Sequence, residues 1–285
     1  MKLFLTPGFF HHMNKNGLDL IMKNLGWSYV NNINEADIVY SPSTYLNTEQ
    51  YPNKKFIFGP HFSVFPNDSA RRISNKFNNS IYIQPSYPSV NTWKNEFNFN
   101  NIPITSFPFP IDFQNVRILD DEKTEVIVYH KLRSPEDLKY VTNFLESKNV
   151  NFHIIKYGSY KEHDYQQLLD KTKYVVWVGA HESQGFALES VLAKNIPILV
   201  WSTKLRSQEY NCPQEYYTVK SEIRTAPYWD ENCGVVFFNK EDLPESYNTF
   251  ISKLGHFNPR KYIESVVSID VCSKNLINII NNLGQ

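Results

Sequence analysis

The sequence predicts an α/β protein of two doubly wound domains that face a cleft. Three observations carry that expectation. Strands and helices alternate with few glycines between them, clearly after residue 126 and more faintly before residue 108. Residues 174–201, YVVWVGAHESQGFALESVLAKNIPILVW, read as strand, polar turn, helix and strand. Residues 107–121, FPFPIDFQNVRILDD, form a proline-stiffened segment with charge gathered at its end, the best place to divide the chain. The chain has 285 residues, enough for two medium domains, each with its own core.

In the first half, residues 2–6 read as a strand that runs into the Pro7-Gly8 turn. Residues 17–25 read as a helix. Residues 37–41 (DIVYS) and 55–59 (KFIFG) are short strands ending in turn residues. A basic helical segment, 69–77, carries Arg71, Arg72 and Lys76. Strands at 81–84 and 104–107 complete a small sheet of parallel type. In the second half, 126–129 is a strand, Pro135–Ser147 a helix, 152–157 a strand and 163–170 a short helix. Residues 174–178 are apolar, β-branched and aromatic, which suits a strand buried on both faces. Phe186, Leu188, Val191 and Leu192 then recur at helical spacing, and that helix stops before Pro197. Residues 196–201 are the next buried strand. The pattern loosens until a strand at 235–238; helices follow at 241–254, 259–266 and 271–283.

Two parallel strands joined by a helix hold ligands beyond their carboxyl ends. His181, Glu182, Ser183, Gln184 and Gly185 lie at that end, and Phe186 opens the helix. A helix N-terminus there points N–H groups and the positive end of its dipole at a phosphate. Gly185 allows close approach to the backbone. Glu189, one turn inside, is placed to accept bonds from paired sugar hydroxyls, and Glu182 faces whatever lies beyond the phosphate. These residues suit a nucleotide-sugar. They equally suit a plain doubly wound core with a surface Glu182 and a dipole-stabilising Glu189; spacing alone leaves both readings open.

Composition removes several classes. Lys plus Arg equals Asp plus Glu, 29 each, so no basic excess marks a nucleic-acid binder. The odd, scattered Cys212, Cys233 and Cys272 fit neither a disulfide framework nor a zinc site, and point to a reducing compartment, the cytoplasm. MKLFLTPGFF has too short an apolar run for a signal peptide, and no stretch approaches the ~20 apolar residues of a membrane span. The sequon at Asn67 is therefore incidental. No GxGxxG, Walker A, HExxH or GxSxG motif occurs.

Residues 182–197 resemble the acidic donor-binding motif of glycosyltransferase family 4, of the GT-B superfamily. That motif has an acid, a glycine three residues on, and a second acid opening "EA…PV". Glu182, Gly185, Glu189 and Pro197 take those places. The family spaces its acids eight positions apart, against seven here. Aligned on the helix instead, His181 takes the first acid's place; a one-residue slip turns a helical side chain by ~100°. The family's "P-x-G-(V/I)-D" link is matched at Pro110, Ile111 and Asp112. The resemblance covers most of residues 108–285 and, more faintly, the first half.

The resemblance implies a GT-B fold with two Rossmann-like domains. Residues 1–110 would form a shortened acceptor-side domain joined by the C-terminal helix, 271–285, and residues 111–270 the nucleotide-sugar domain. It implies transfer of a sugar from a nucleotide-sugar donor to a carbohydrate or glycoconjugate hydroxyl, retaining and without a required metal. The absence of DxD agrees with the last point. No cofactor beyond the donor and no protein nucleophile is implied. Lys131 and Arg133 stand where similar enzymes neutralise the diphosphate, although the family's arginine, four residues, lysine-glycine pattern is missing; the other reading is a solvated basic turn. His61, in FIFGPHF, resembles the histidine that many family members point at the donor sugar, so His61 and Glu182 take the catalytic roles. Gly8 would bring backbone near the phosphate or acceptor, with His11 and His12 just beyond it. Phe9, Phe10, Tyr45, Phe62, Phe65, Tyr87 and Trp93 suit either carbohydrate stacking or ordinary packing. Arg71, Arg72 and Lys76 suit a solvated helix face, or contact with an anionic acceptor or membrane surface. Two rival functions stay open: a nucleotide-sugar epimerase or hydrolase of the same fold, and a non-catalytic nucleotide- or carbohydrate-binding protein.

Overall fold

The computed structural model describes residues 1–63, 65–66, 79–96, 103–118, 123–213 and 222–283. The chain divides into two compact units: Met1–Asp112 with Val266–Gln285, and Phe113–Ser265.

The first unit holds strands β1 (Lys2–Leu5), β2 (Ser28–Tyr29), β3 (Ile38–Ser41), β4 (Lys55–Phe58), β5 (Ser80–Gln84) and β6 (Ile104–Ser106), in the order β2-β1-β3-β4-β5-β6. Every pairing is parallel. Val39, Phe56, Phe58, Tyr82 and Trp93 pack into one core cluster. Helix α1 (His12–Leu25) starts a turn earlier than the expected 17–25. Its N-cap is His11, whose Nδ1 accepts the Met13 N–H at 3.3 Å, and histidine is outside the usual capping set. Gly17 marks close packing within the helix: a Cβ there would lie 3.0 Å from carbons of Phe109 and Pro110. Helix α2 (Tyr87–Glu96) gives little periodic signal, because Pro88 sits near its start and its buried apolar residues are only Val90 and Trp93. The basic segment 69–77 and the sequon at Asn67 lie outside the described residues.

The second unit holds β7 (Glu125–Lys131), β8 (His153–Lys156), β9 (Thr172–Gly179), β10 (Ile198–Trp201) and β11 (Gly234–Phe237), all parallel, in the order β11-β10-β9-β7-β8. Residues 174–179 of the central β9 are all buried, as its unbroken apolar run requires. Helix α3 (Pro135–Ser147) opens on Ser134, whose Oγ accepts the Asp137 N–H at 3.0 Å. Then come α4 (Glu162–Lys171), α5 (Phe186–Ala193), α6 (Leu243–Ser252) and α7 (Pro259–Val267). The helix expected over 241–254 is shorter, because a 3-10 turn at Lys240–Asp242 precedes α6.

The last helix, α8 (Ile269–Asn281), belongs to the first unit and packs along α1. Cys272, Ser273, Leu276, Ile279 and Ile280 are its buried residues. Asn24 Nδ2 donates to Ser273 Oγ at 3.1 Å, and Lys55 Nζ to the Ile280 carbonyl at 2.7 Å. The Ile111 N–H donates to the Val267 carbonyl at 3.0 Å, so the segments leaving and re-entering this unit run side by side. Because each sheet is wholly parallel, its strands share one carboxyl edge.

Candidate functional site

The carboxyl edge of the second sheet is built around Gly179, which ends β9 in register with Lys131 at the end of β7. Only glycine fits there: a Cβ would meet Trp177 Nε1 at 2.6 Å and Thr225 Cγ2 at 2.9 Å. The next three amides are each claimed by a different segment. Ala180 N–H donates to the Lys131 carbonyl at 2.9 Å, His181 N–H to Glu209 Oε1 at 2.7 Å, and Glu182 N–H to the Arg224 carbonyl at 3.1 Å. Gly185 then adopts φ 83°, ψ 52°, a left-handed conformation that turns the chain into α5. Glu189 N–H donates to the Gly185 carbonyl at 2.9 Å and closes the first turn, with Phe186 at its head.

Charge is concentrated at this turn. Lys131 Nζ lies 2.7 Å from Glu182 Oε2, with side-chain exposures of only 11% and 9%, and 4.3 Å from the centre of the Tyr157 ring. Burial pushes the Glu182 carboxyl up, and the Lys131 ammonium opposes that shift. Glu209 also pairs with Arg206, so its two carboxylate oxygens hold separate partners. The His181 ring is buried; burial, then the Arg206 and Lys131 charges, hold it down at about 3, so it is neutral. Glu189 is wholly buried. Its Oε2 accepts from Gln184 Nε2 at 3.4 Å, while Oε1 has no partner among the described residues. Burial drives its pKa well above the carboxylate range; the Gln184 bond opposes this and the Glu182 charge adds to it.

The structure brings Lys131, His181, Glu182, Gln184, Gly185 and Glu189 to one turn, with Ser183 half-buried within it. Arg133 is engaged elsewhere: its Nε pairs with Asp137 at 2.9 Å and its guanidinium lies 4.4 Å over the Trp201 ring. A cavity of about 530 Å³ opens past β8, lined by Tyr160, Lys161, Asp164 and Tyr165. It adjoins the turn, because Tyr165 Oη donates to the Ala187 carbonyl in the first turn of α5 at 3.2 Å.

Gly8 and His61 belong to the first unit. Gly8 has φ 139°, and a Cβ there would strike Ser43 and Thr44 hydroxyls, so packing on that loop accounts for it. His61 Nε2 accepts the His11 N–H at 3.3 Å, which leaves the ring proton on Nδ1. Burial, then His11, lowers its pKa to about 4. The Phe9 ring meets His61 edge-on at 5.2 Å, and the His11 and His12 rings stack at 4.6 Å. The loop aromatics divide: Phe65 and Trp93 are buried, whereas Phe9, Tyr45 and Tyr87 are exposed.

Arg206, Glu209 and Thr225 support the turn from the stretch after Trp201, where the sequence shows no period. Glu209 reaches an amide 28 residues upstream, and no local pattern encodes such a reach. Among the described residues no group of three His, Cys, Asp or Glu side chains is placed to hold a metal ion, and no helix is long and apolar enough to cross a membrane.

No protein-family model and no curated protein matches the chain. Solved structures do. HepE from Anabaena, crystallised with UDP, aligns over 99% of this chain and 100% of its own at 12% identity, TM-score 0.55. Sucrose-phosphate synthase from Thermosynechococcus elongatus aligns over 99% and 98% at 8% identity, TM-score 0.55. A mutant of S. aureus TarM, in complex with fondaparinux, alpha-GlcNAc-glycerol and UDP, aligns over 86% of this chain at 16% identity, TM-score 0.51. The chain spans 55% of the TarM chain, about half its length. At these identities the likeness is one of fold. The family-4 resemblance rests on motifs alone, but the architecture is settled: two Rossmann-like domains, each with a wholly parallel sheet, in the GT-B fold.

Proposed function

We propose that the chain is a glycosyltransferase that moves a sugar from a nucleotide-sugar donor to a hydroxyl of a glycan or other glycoconjugate. The Glu189 carboxyl carries this reading. It is wholly buried in the first turn of α5, at the carboxyl edge of a parallel sheet, with one oxygen unpartnered among the described residues. A buried acceptor without a donor is costly, and the paired hydroxyls of a ribose supply two donors. The donor phosphates then meet the N-terminus of α5, and Lys131 neutralises the departing diphosphate. The adjoining cavity, walled by Tyr160 and Tyr165, is the proposed seat of the base. Glu182 lies on the sugar side. His61, in the first unit with its proton on Nδ1, is disposed to donate a hydrogen bond rather than to act as a base. Arg133 pairs with Asp137 and lies over Trp201, and its buried Nη1, unpartnered among the described residues, keeps it in the proposal as a diphosphate contact.

Transfer proceeds, in this proposal, with retention at the anomeric carbon and without a required metal, since Lys131 and the α5 dipole meet the developing charge. UDP in the HepE and TarM structures makes UDP-sugars the first donors to try. A thermal-shift panel of UDP, GDP, ADP and CMP sugars tests the reading, because a ligand at 100 times its dissociation constant adds ~2.7 kcal/mol. A panel that leaves the melting temperature unmoved refutes it. Turnover of donor alone would point to an epimerase or hydrolase, and binding without turnover across acceptors to a non-catalytic protein.

A further inference from the structure

We infer that Glu209 is a positioning residue: its carboxylate fixes the His181–Glu182 turn and so aims the Glu182 carboxylate at the donor sugar. The inference rests on the nucleotide-sugar reading of the site and names a residue which that reading does not use. Of the three successive amides after β9, two are satisfied by backbone carbonyls, but that of His181 depends on a side chain. The Glu209 side chain is 2% exposed, and its second oxygen pairs with Arg206, so both of its oxygens are engaged. An ionised acceptor also makes a stronger bond than a carbonyl.

The neighbouring residue completes the device. Tyr210 N–H donates to the Leu132 carbonyl at 2.9 Å, and Leu132 has φ 50°, a conformation a leucine rarely holds without an external tie. Glu209 and Tyr210 thus grip the turns after β9 and β7, and the first of these bears Glu182. Glu189 is fixed separately, by the first turn of α5, and Lys131 by its place in β7. Loss of the Glu209 contact should therefore disturb recognition of the sugar and spare the nucleoside diphosphate.

Two double variants isolate the contact. Arg206→Met/Glu209→Gln and Arg206→Met/Glu209→Leu both delete the ion pair, so its loss is common to them. Only the glutamine form keeps an oxygen for the His181 N–H. UDP and UDP-glucose serve as probes in calorimetry, and amide exchange reports on the His181 N–H directly. The leucine form should exchange that amide about tenfold faster. It should also bind UDP within about twofold of the glutamine form, yet lose about tenfold in UDP-glucose affinity. Equal exchange and equal UDP-glucose affinity in the two forms would overturn the inference, as would a parallel loss of both ligands. If the native chain binds neither probe, the donor reading fails on its own, and the exchange comparison still decides whether Glu209 sets the turn.

Discussion

Replacing Glu189 with glutamine keeps the shape of the side chain and removes its ability to ionise. In the folded chain this carboxyl is wholly buried, has one amide donor at 3.4 Å, and has no partner on Oε1 among the described residues. Its pKa is driven well above the ordinary 4.5, chiefly by burial. A group raised on folding stabilises fully below its unfolded value and loses that contribution as pH rises toward its folded one. Above pH 4.5 the native chain should therefore lose about 1.4 kcal/mol per pH unit relative to Glu189→Gln, for as long as the folded carboxyl stays protonated. Nucleotide binding should move the other way. Ribose hydroxyls favour the ionised carboxylate, and hydrogen bonds to a charged group are worth about 1.5–3 kcal/mol. The variant should bind UDP more weakly by up to roughly 150-fold where the carboxyl ionises. The loss should be smaller at lower pH, because ionising it costs about 1.4 kcal/mol per pH unit below its folded pKa. Urea unfolding at pH 5, 6, 7 and 8, with calorimetry of UDP, reads both effects. A variant more stable at neutral pH yet weaker in binding is the signature of a ligand site; a structural residue gives no such opposition. Native affinity in the variant would remove Glu189 from the donor site. A stability gap that stays constant with pH would show that the buried carboxyl is not held neutral.

His181, held at about 3, is depressed from 6.5, so its contribution is present above pH 6.5 and lost as pH falls through the window from 6.5 toward 3. His181→Asn should flatten that loss by up to about 1.4 kcal/mol per pH unit, measured by unfolding between pH 7 and pH 4; parallel acid curves would contradict it. Ile280→Ala, on α8, should cost ~2–5 kcal/mol, and truncation after Asp270 should abolish cooperative melting of the first unit, because α8 packs on α1 and bonds Asn24 and Lys55. Unchanged melting of the truncated chain would exclude that role. Turnover should survive EDTA, given Lys131 and the α5 N-terminus; activity lost to EDTA and restored by Mn²⁺ would mean that an ion neutralises the phosphates.

What the sequence made legible follows from how local each determinant is. The unit β9–α5–β10 is readable because an unbroken apolar run, a helical period and Pro197 follow one another without a gap. Helix α2 is not, since two buried apolar residues set no period. Nor is the first turn of α1, where a histidine takes the place of the usual cap. Glu182, Gly185 and Glu189 stand together at the end of a readable strand. The Lys131–Glu182 pair is different: each residue can be picked singly, but their contact exists only because β9 lies beside β7 in the sheet. Arg133 carried a local clue, its acidic partner Asp137 four residues on across the start of α3.

The spacing of the two acids, seven where the resembling family has eight, is the point on which sequence and structure inform each other most. A slip of one residue rotates a side chain by ~100° only within a helix, and α5 begins at Phe186. Residues 182–185 precede it, and the left-handed Gly185 resets the chain direction before the helical phase begins. A one-residue difference can be absorbed in that turn without moving Glu189 on the helix. Chemistry rather than count then bears on which residue takes the first acid's place. The His181 ring is buried and neutral, its amide tied to Glu209, whereas Glu182 directs a carboxylate to within 2.7 Å of Lys131. A carboxylate that accepts bonds from sugar hydroxyls needs a cation to hold its charge when buried. Glu182 has one. His181→Ala should accordingly leave the preference for UDP-glucose over UDP intact, and Glu182→Ala should abolish it; the reverse result would give the sugar-side place to His181.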